Sequence, residues 1–474
     1  MSSNDSRRAA LKYYGRTGLA WVFNTSTFIG NLAIALIITY FFRQIGYGDA
    51  VDYVFLLTIL AVGLWVTEAI PPFAVGIFII AMLLFGFGTD FLIDESAPVE
   101  LYVGTWTSNV VWLLMGGFFL ALGMREVELD HYIFRQTVTR FGKSPERLLF
   151  GLMMTTALVS MIMSNTATSA MMISSILPVV HSLGRKSNYS RALLIGIPAA
   201  ATVGGMGTII GSTPNAIAVG ALQERGVSIS FVEWMIVGFP TGILLVWLFY
   251  KYLIRRLNLD EVKIDVSDLV EKRESGNIEP YKRRAVVVTF FITITLWLTE
   301  PLHGIPVAAT AAVPIVLLTL TQVITADQVR SLPWETLMLV AGGLALGLAL
   351  VDVGLADIVM SGIKTLPVPT LIVAVIFSLV AVVLSNVMSN TAAAAILIPL
   401  AITLPAPFNI ALPLIVALSC SCALLLPVST PPNAIAYATG LLEAKDFRPG
   451  GLFLIVIGPM AAFISVMIWT WLTG

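Results

Sequence analysis

The chain has 474 residues, of which 57% are hydrophobic and only 12% are charged, and its mean hydropathy is +0.91. Soluble domains carry about a quarter charged residues, so this composition excludes a water-soluble globule. The near balance of 27 basic and 28 acidic residues excludes the polybasic surface that nucleic-acid binding requires. No nucleic-acid partner is therefore expected.

Apolar segments recur along the whole chain, and most approach the roughly 20 residues that a helix needs to cross a bilayer. In chain order they lie near residues 20–41, 51–70, 72–88, 107–124, 146–183, 192–223, 231–254, 286–302, 305–321, 334–353, 366–403, 409–442 and 450–473. They lack the apolar and polar alternation of barrel strands. The sequence therefore predicts an all-α polytopic membrane protein in the cell membrane, surrounded by lipid.

Two of these segments, 146–183 and 366–403, are too long for a single crossing, and each is interrupted near its centre by Ser-Asn-Thr. We expect two re-entrant hairpins in addition to about eleven transmembrane helices. Cytoplasmic loops are enriched in Lys and Arg, and with this topology only Arg43, Arg225 and Lys364 of the 27 basic residues fall outside. The count favours a cytoplasmic N-terminus, an extracytoplasmic C-terminus, and hairpins that enter from inside and outside respectively.

This topology divides the chain into four parts. Residues 1–50 form a cytoplasmic N-terminus and the first transmembrane helix, residues 51–256 form one repeat, residues 257–284 are a charged cytoplasmic linker, and residues 285–474 form a second repeat. The linker contains no catalytic or phosphate-binding motif, which is typical of a solvated connector.

The two long parts share short strings in the same order. LWVTE at 64–68 returns as LWLTE at 296–300, SMIMSNT at 160–166 as SNVMSNT at 385–391, and STPNAIA at 212–218 as STPPNAIA at 429–436. Because each predicted repeat has five crossings, an odd number, the second copy is expected to be inverted in the membrane. Two similar inverted halves can exchange conformations, which is typical of secondary transporters.

The repeated strings carry the polar chemistry of the apolar chain. Ser160 and Ser164, like Ser385 and Ser389, are four residues apart, so each pair is expected to share a helix face near a hairpin tip. A new helix beyond each tip presents free N–H groups that attract anions. The proline-containing strings break long helices and free carbonyl oxygens, which suit Na+ together with serine and asparagine oxygens.

These polar breaks contain no formal charge. Residues 148–184, 192–223 and 365–442 include no Asp, Glu, Lys or Arg. Helix ends contribute about 0.3 to 2 kcal/mol each, whereas burying an isolated charge costs far more. A bound divalent anion would therefore need two or more Na+ ions beside it.

Other classes of membrane protein remain as alternatives to a Na+-coupled transporter. An anion exchanger would use much the same groups without Na+ dependence. A channel or an intramembrane hydrolase is a further alternative, but the apolar segments contain no Ser-Lys, Ser-His or paired Asp set, so we expect no enzyme.

The paired Ser-Asn-Thr tips and the paired proline breaks resemble the divalent anion/sodium symporter family, whose members carry succinate, malate, fumarate, citrate or sulfate. The resemblance covers about residues 50–474. It implies a homodimer of inverted repeats, with separate scaffold and transport regions and an elevator-type movement. One departure is that the first break has a single proline where the family commonly has two, which affects the expected backbone beside the first cation site.

The resemblance also implies the site residues. The first Na+ site would use Ser160, Ser164, Asn165 and the carbonyl of Gly211, and the second would use Ser385, the carbonyl of Met388, Asn390 and the carbonyl of Ser429. The anion would lie between them and contact Asn165, Thr166, Ser212, Asn390, Thr391 and Pro431. Threonine at both tips suits a C4 dicarboxylate such as succinate, while sulfate, citrate and dicarboxylate exchange remain as alternatives.

Overall fold

The fold is known from a computed structural model that describes residues 24–88, 100–142, 144–259, 278–364 and 368–473. Within these ranges every regular element is a helix, and no strand is formed. Most of the predicted N-terminal cytoplasmic segment and most of the charged linker lie outside the described residues. The all-α prediction is confirmed.

The first half of the chain contains eleven α-helices, several of them short. They are α1 (Asn24–Arg43), α2 (Asp49–Thr67), α3 (Pro72–Phe87), α4 (Glu100–Val103), α5 (Asn109–Glu126), α6 (Leu129–Phe141), α7 (Pro145–Ser160), α8 (Asn165–Leu183), α9 (Asn188–Gly204), α10 (Thr213–Gln223) and α11 (Phe231–Leu257), as far as this half is described. A 3₁₀ turn, Gly205–Gly207, follows α9.

The second half repeats much of this order over its described residues. Its helices are α12 (Pro280–Leu298), α13 (Glu300–His303), α14 (Val307–Thr310), α15 (Ala312–Leu320), α16 (Ala326–Val329), α17 (Trp334–Asp352), α18 (Leu355–Lys364), α19 (Thr370–Val387), α20 (Asn390–Ala401), α21 (Phe408–Cys420), α22 (Pro431–Ala438) and α23 (Ala444–Thr473). Elements α5 to α11 therefore correspond in order to α17 to α23.

Both predicted hairpins are broken at the expected strings. Segment 146–183 becomes α7 and α8, with residues 161–164 outside either helix, and segment 366–403 becomes α19 and α20, with residues 388–389 between them. In each case the two helices pack against each other, so the chain reverses at the break. The proline strings end long segments in the same way, before α10 and before α22.

Eight helices of the described chain are long and apolar enough to cross a bilayer. Other predicted crossings are represented by shorter apolar helices, such as α3 and the adjoining α14 and α15. Large apolar side chains face outward, including Ile37, Phe291 and Leu379, as lipid contact requires. The protein is thus a multi-pass membrane protein, while the number of eleven crossings and the sidedness of the termini stay predictions.

The helices pack as two groups, which we call the scaffold group (α2, α3, α5, α12, α14, α15 and α17) and the hairpin group (α7 to α11 and α19 to α23). Small residues allow close approach within the scaffold group, where a Cβ on Gly76 would lie 2.8 Å from the carbonyl oxygen of Met338. The first contact joins α3 to α17. An equivalent contact joins α5 of the first half to the chain between α14 and α15 of the second half, since a Cβ on Gly116 would lie 2.7 Å from the carbonyl oxygen of Ala311. All four polar breaks belong to the hairpin group.

Contacts between the halves are reciprocal. Helix α8 of the first hairpin packs on α22 of the second half, and α20 of the second hairpin packs on α10 of the first. The second helix of each hairpin therefore lies on the helix that follows the other half's proline break. Reciprocal packing of this kind is what a twofold relation between the halves predicts, although the direction of that axis in the membrane stays a prediction.

Candidate functional site

The two hairpin tips have the same local geometry. Ser164 precedes α8 and accepts a hydrogen bond from the N–H of Ala167 at 3.2 Å, and Ser389 precedes α20 and accepts one from Ala392 at 3.2 Å. The sequence dictates this because serine is a preferred N-cap residue. Asn165 is therefore the first residue of α8, where the backbone N–H groups have no helical acceptor.

The Asn165 side chain is the centre of the first predicted cation site. One of its amide atoms lies 2.6 Å from Oγ of Ser160, 3.0 Å from the carbonyl oxygen of Ala201 and 3.2 Å from that of Gly211. If the amide nitrogen takes this position, it donates to these oxygens. If the amide oxygen takes it, this oxygen accepts from the Ser160 hydroxyl but faces the carbonyl oxygens of Ala201 and Gly211 with no donor between them, an arrangement that a cation would stabilise.

The structure thus brings together three of the four residues predicted for this site, Ser160, Asn165 and Gly211. The fourth residue, Ser164, has an exposed side chain, and its oxygen caps α8. The expectation that Ser160 and Ser164 share a helix face is wrong, because α7 ends at Ser160. The same holds in the second half, where α19 ends before Ser389.

The second predicted cation site repeats the central contact. Oγ of Ser385 lies 2.6 Å from Oδ1 of Asn390 and 2.7 Å from the carbonyl oxygen of Cys420, and Ser385 is fully buried. Met388 is buried in the two-residue break of the hairpin. Ser429 is tied to the same hairpin, because its hydroxyl donates to the carbonyl oxygen of Asn386 at 3.0 Å.

Residues that the sequence analysis did not assign hold these breaks in shape. The Asn215 side chain is fully buried and donates to the carbonyl oxygens of Gly205 at 2.9 Å and Thr208 at 2.8 Å. Its counterpart Asn433 donates to the carbonyl oxygen of Leu426 at 3.1 Å. Both asparagines lie in the repeated proline strings, and this repetition is the sequence feature that indicates a shared structural role for them.

Asn386 was also missed, and it links the second hairpin to the second break. Its amide nitrogen donates to the carbonyl oxygen of Val382 at 2.8 Å, and its Oδ1 accepts from the N–H of Leu425 at 2.8 Å. Its counterpart in the first hairpin is Met161, so comparison of the two strings gave no signal for this role.

The predicted anion residues lie on both halves. Thr166 and Pro431 are exposed, Thr391 is half-buried, and Ser212 is buried with its hydroxyl 3.2 Å from that of Ser421. This hydroxyl contact joins the two proline breaks directly. Together with the reciprocal packing of α8 on α22 and α20 on α10, it shows that the two halves contact each other within the hairpin group.

Oxygen atoms and amides, without ionised side chains, make up this region. No cluster of three or more His, Cys, Asp or Glu residues suited to a metal occurs among the residues that the structure describes. Cys420 and Cys422 are both buried, and they pack inside the hairpin group. The chemistry available is therefore coordination of a hard cation by neutral oxygens and binding of an anion by helix N-termini and hydroxyls.

A helical membrane fold with two broken hairpins around a neutral polar site defines a secondary transporter. Residues 62–421 match the citrate transporter family (CitMHS), and the chain belongs to this family of transporters, which is not a family of enzymes. This confirms the resemblance to divalent anion/sodium symporters that the sequence indicated.

Two relatives illustrate the similarity. The sodium-dependent dicarboxylate transporter SdcS of Staphylococcus saprophyticus is 29% identical over 463 residues, covering 90% of this chain and 87% of the relative. SdcS of Staphylococcus aureus (strain USA300) is 29% identical over 450 residues, covering 87% of this chain and 85% of that protein.

Solved structures share the fold. The YdaH transporter of Alcanivorax borkumensis aligns with a TM-score of 0.51 at 15% identity, covering 85% of this chain and 98% of its own. MtrF of Neisseria gonorrhoeae aligns with a TM-score of 0.56 at 13% identity, covering 86% and 96% respectively. At these identities the likeness concerns the fold alone.

Proposed function

We propose that the protein imports a small divalent anion together with two or more Na+ ions, and that a C4 dicarboxylate such as succinate is its substrate. The observation that carries this proposal is the Asn165 amide, which faces the carbonyl oxygens of Ala201 and Gly211 and the hydroxyl of Ser160 at 2.6 to 3.2 Å. These neutral oxygens converge beside one amide, and with the Asn165 amide oxygen they make up what we call the first cage, because oxygens of this kind are the ligands that a hard cation prefers. In the second half the Ser385 hydroxyl makes the equivalent contact with Asn390 and also lies against the carbonyl oxygen of Cys420, and we call this group the second cage.

Electrostatics explains why cation and anion would travel together. The segments that build the site contain no ionised side chain, and a helix N-terminus contributes only about 0.3 to 2 kcal/mol to anion binding. A doubly charged anion in a low-dielectric region loses much more hydration energy than this. Cations at the two asparagine cages would neutralise it, which couples its uptake to the Na+ gradient.

The relatives support the same assignment of ions and substrate. Both are named sodium-dependent dicarboxylate transporters, and the alignments cover at least 85% of each chain. The family itself is named for citrate, so citrate carried as its dianion is a second candidate substrate.

An elevator-type movement is the proposed mechanism, in which the hairpin group slides along the scaffold group of a homodimer. The two halves differ in a way that supports alternating access. In the second half, α17 packs closely on hairpin helix α20, where a Cβ on Gly343 would lie 2.9 Å from Cβ of Ala395. In the first half, the corresponding helix is α5. A cavity lined by residues of α5 and of the first tip lies between them.

The coupling can be tested with purified protein in liposomes. Labelled succinate is expected to accumulate only with an inward Na+ gradient, and equal uptake when choline replaces Na+ would overturn the proposal. Uptake that requires internal dicarboxylate but not Na+ would identify an exchanger. Competition by unlabelled succinate, citrate and sulfate then ranks the substrates.

The assigned cages can be tested with asparagine variants. Asn165→Ala and Asn390→Ala should each raise the Na+ concentration that gives half-maximal uptake, while the protein still folds and inserts. Asn188→Ala is a matched control, because Ser187 caps α9 and Asn188 begins it just as Ser164 and Asn165 do for α8, but at a different helix end. Parental Na+ dependence in both tip variants would show that the cages are assigned wrongly.

A further inference from the structure

A cavity of about 70 Å³ lies between the scaffold group and the first hairpin tip. Helix α5 lines it with Leu122 and Arg125, which are one helical turn apart. Ser164 and Ala167 of the tip lie on another side, and residues 331–333 before α17 complete the wall. A permanently charged guanidinium thus shares a cavity with the N-terminus of α8.

The charge of Arg125 is available to a ligand. Its side chain is exposed and makes no hydrogen bond or ion pair with any residue in the described ranges. The adjacent carboxylate of Glu126 is engaged elsewhere, since it accepts a hydrogen bond from the amide of Gln328. No acidic residue lines the cavity.

Arg125 has no counterpart in the second half. Alignment of Gly116-Gly117 with Gly342-Gly343 places Val351 at the equivalent position of α17. There Val351 lines a smaller cavity of about 50 Å³ together with Gly347 and Pro399, and the arginine of that cavity, Arg225, comes from the chain after α10 and not from α17.

We propose that Arg125 binds the dianion at the mouth of the first tip, on the side that the predicted topology makes cytoplasmic, and so positions it between the neutral site and the cytoplasm. A guanidinium binds a carboxylate through two parallel hydrogen bonds, and its charge acts across a cavity of this size. Arg125 belongs to the scaffold group and the neutral site belongs to the hairpin group. Movement of the hairpin group would therefore separate the cargo from Arg125. This role rests on the proposed function, and it makes Arg125 a positioning residue for the cargo on the cytoplasmic side of Asn165.

The proposal predicts a selective change in anion affinity. Arg125→Gln should raise the succinate concentration for half-maximal transport from the cytoplasmic face by about twofold to fivefold, the range expected for losing one partly exposed charge contact. The Na+ concentration for half-maximal uptake at saturating succinate should stay the same. Arg125→Lys should fall in between, because it keeps the charge but not the paired hydrogen bonds.

Arg140→Gln is the matched control, since Arg140 is an exposed arginine at the end of α6 and does not line the cavity. Stabilisation of the purified protein by succinate at saturating Na+ gives the same affinity without dependence on the orientation of the protein in the liposome. Raising the ionic strength with choline chloride should shrink the difference between the parent and Arg125→Gln, because the charge is screened.

A cysteine variant separates charge from folding. The native Cys420 and Cys422 are fully buried, so the thiol of Arg125→Cys is the one that reagents reach. A cationic methanethiosulfonate should restore succinate affinity, an anionic reagent should lower it further, and bound succinate should slow both reactions.

The outcomes distinguish the role of Arg125 from the proposed Na+-coupled transport. Parental succinate affinity in Arg125→Gln, or equal effects of the two reagents, overturns the role of Arg125 while Na+-driven uptake by the parent persists. Parental protein that transports without Na+ instead overturns the proposed function.

Discussion

The replacement Gly205→Ala tests the first cation cage most directly. Gly205 lies in the 3₁₀ turn after α9, and a Cβ there would be 2.7 Å from Oδ1 of Asn165 and 2.7 Å from the carbonyl oxygen of Gly211. Ordinary contacts of a Cβ begin near 3.4 Å, so the new methyl group would intrude by several tenths of an ångström on two proposed cation ligands at once. Neither ligand can swing away freely, because one is backbone and the other is held by Ser160.

The cost of the methyl group can be bounded. Overpacking a tight interior costs about 1 to 3 kcal/mol, and each 1.4 kcal/mol lost from cation binding is a tenfold loss of affinity. We therefore expect Gly205→Ala to raise the Na+ concentration for half-maximal uptake by about tenfold or more, with a loss of thermal stability of a few degrees. Succinate uptake at very high Na+ should recover in part.

Gly207→Ala provides the matched control in the same turn. The atoms nearest to a Cβ on Gly207 all belong to the side chain of Met161, with 2.6 Å to its terminal methyl carbon, and this flexible chain can move aside. The assay compares Na+ dependence of succinate uptake and Na+-dependent thermal stabilisation for both variants. If Gly205→Ala keeps parental Na+ dependence, Asn165 and Gly211 do not form a cation site.

Three further predictions concern the scaffold of the site. Asn215→Ala should lower the free energy of unfolding by about 1 to 3 kcal/mol and more than Asn433→Ala does, because it removes two buried hydrogen bonds instead of one; equal melting temperatures would contradict this. Gly342→Ala should lower the melting temperature, because its Cβ would overlap the backbone of Gly76, while the Na+ dependence of the remaining folded protein stays parental. Thr213→Pro should preserve both stability and uptake, since the first residue of a helix needs no N–H donor, and a lost cation dependence would refute that placement.

Much of the fold could be predicted from the sequence because the signals are local. Apolar runs of bilayer length indicate helices, and Ser-Asn-Thr inside such a run indicates a break, so α7, α8, α19 and α20 were anticipated. The four-residue spacing of Ser160 and Ser164 was misleading, however. It assumes a continuous helix, whereas the strong N-cap preference of Ser164 starts a new one.

The contacts that shape the site could not be predicted, because they join residues distant in the chain. The hydrogen bond from Ser385 to Cys420 and the hydroxyl contact of Ser212 with Ser421 depend on how the breaks pack, which no periodicity encodes. Arg125 is a similar case. Its place beside the first tip follows from the packing of α5, since the intervening sequence gives no indication of proximity.

The unequal number of prolines in the two breaks does not make the two cages unequal. In the first break Ser212 is the N-cap of α10 and Asn215 is its third residue, and in the second break Thr430 is the N-cap of α22 and Asn433 is its third residue. The extra proline occupies the first helical position, where proline is well tolerated, so each asparagine still donates to a carbonyl seven residues earlier. Aligned this way, Gly211 corresponds to Ser429. The two carbonyls proposed as cation ligands therefore stand at equivalent positions, directly before a helix N-cap, and similar cages in the two halves need no compensation for the missing proline.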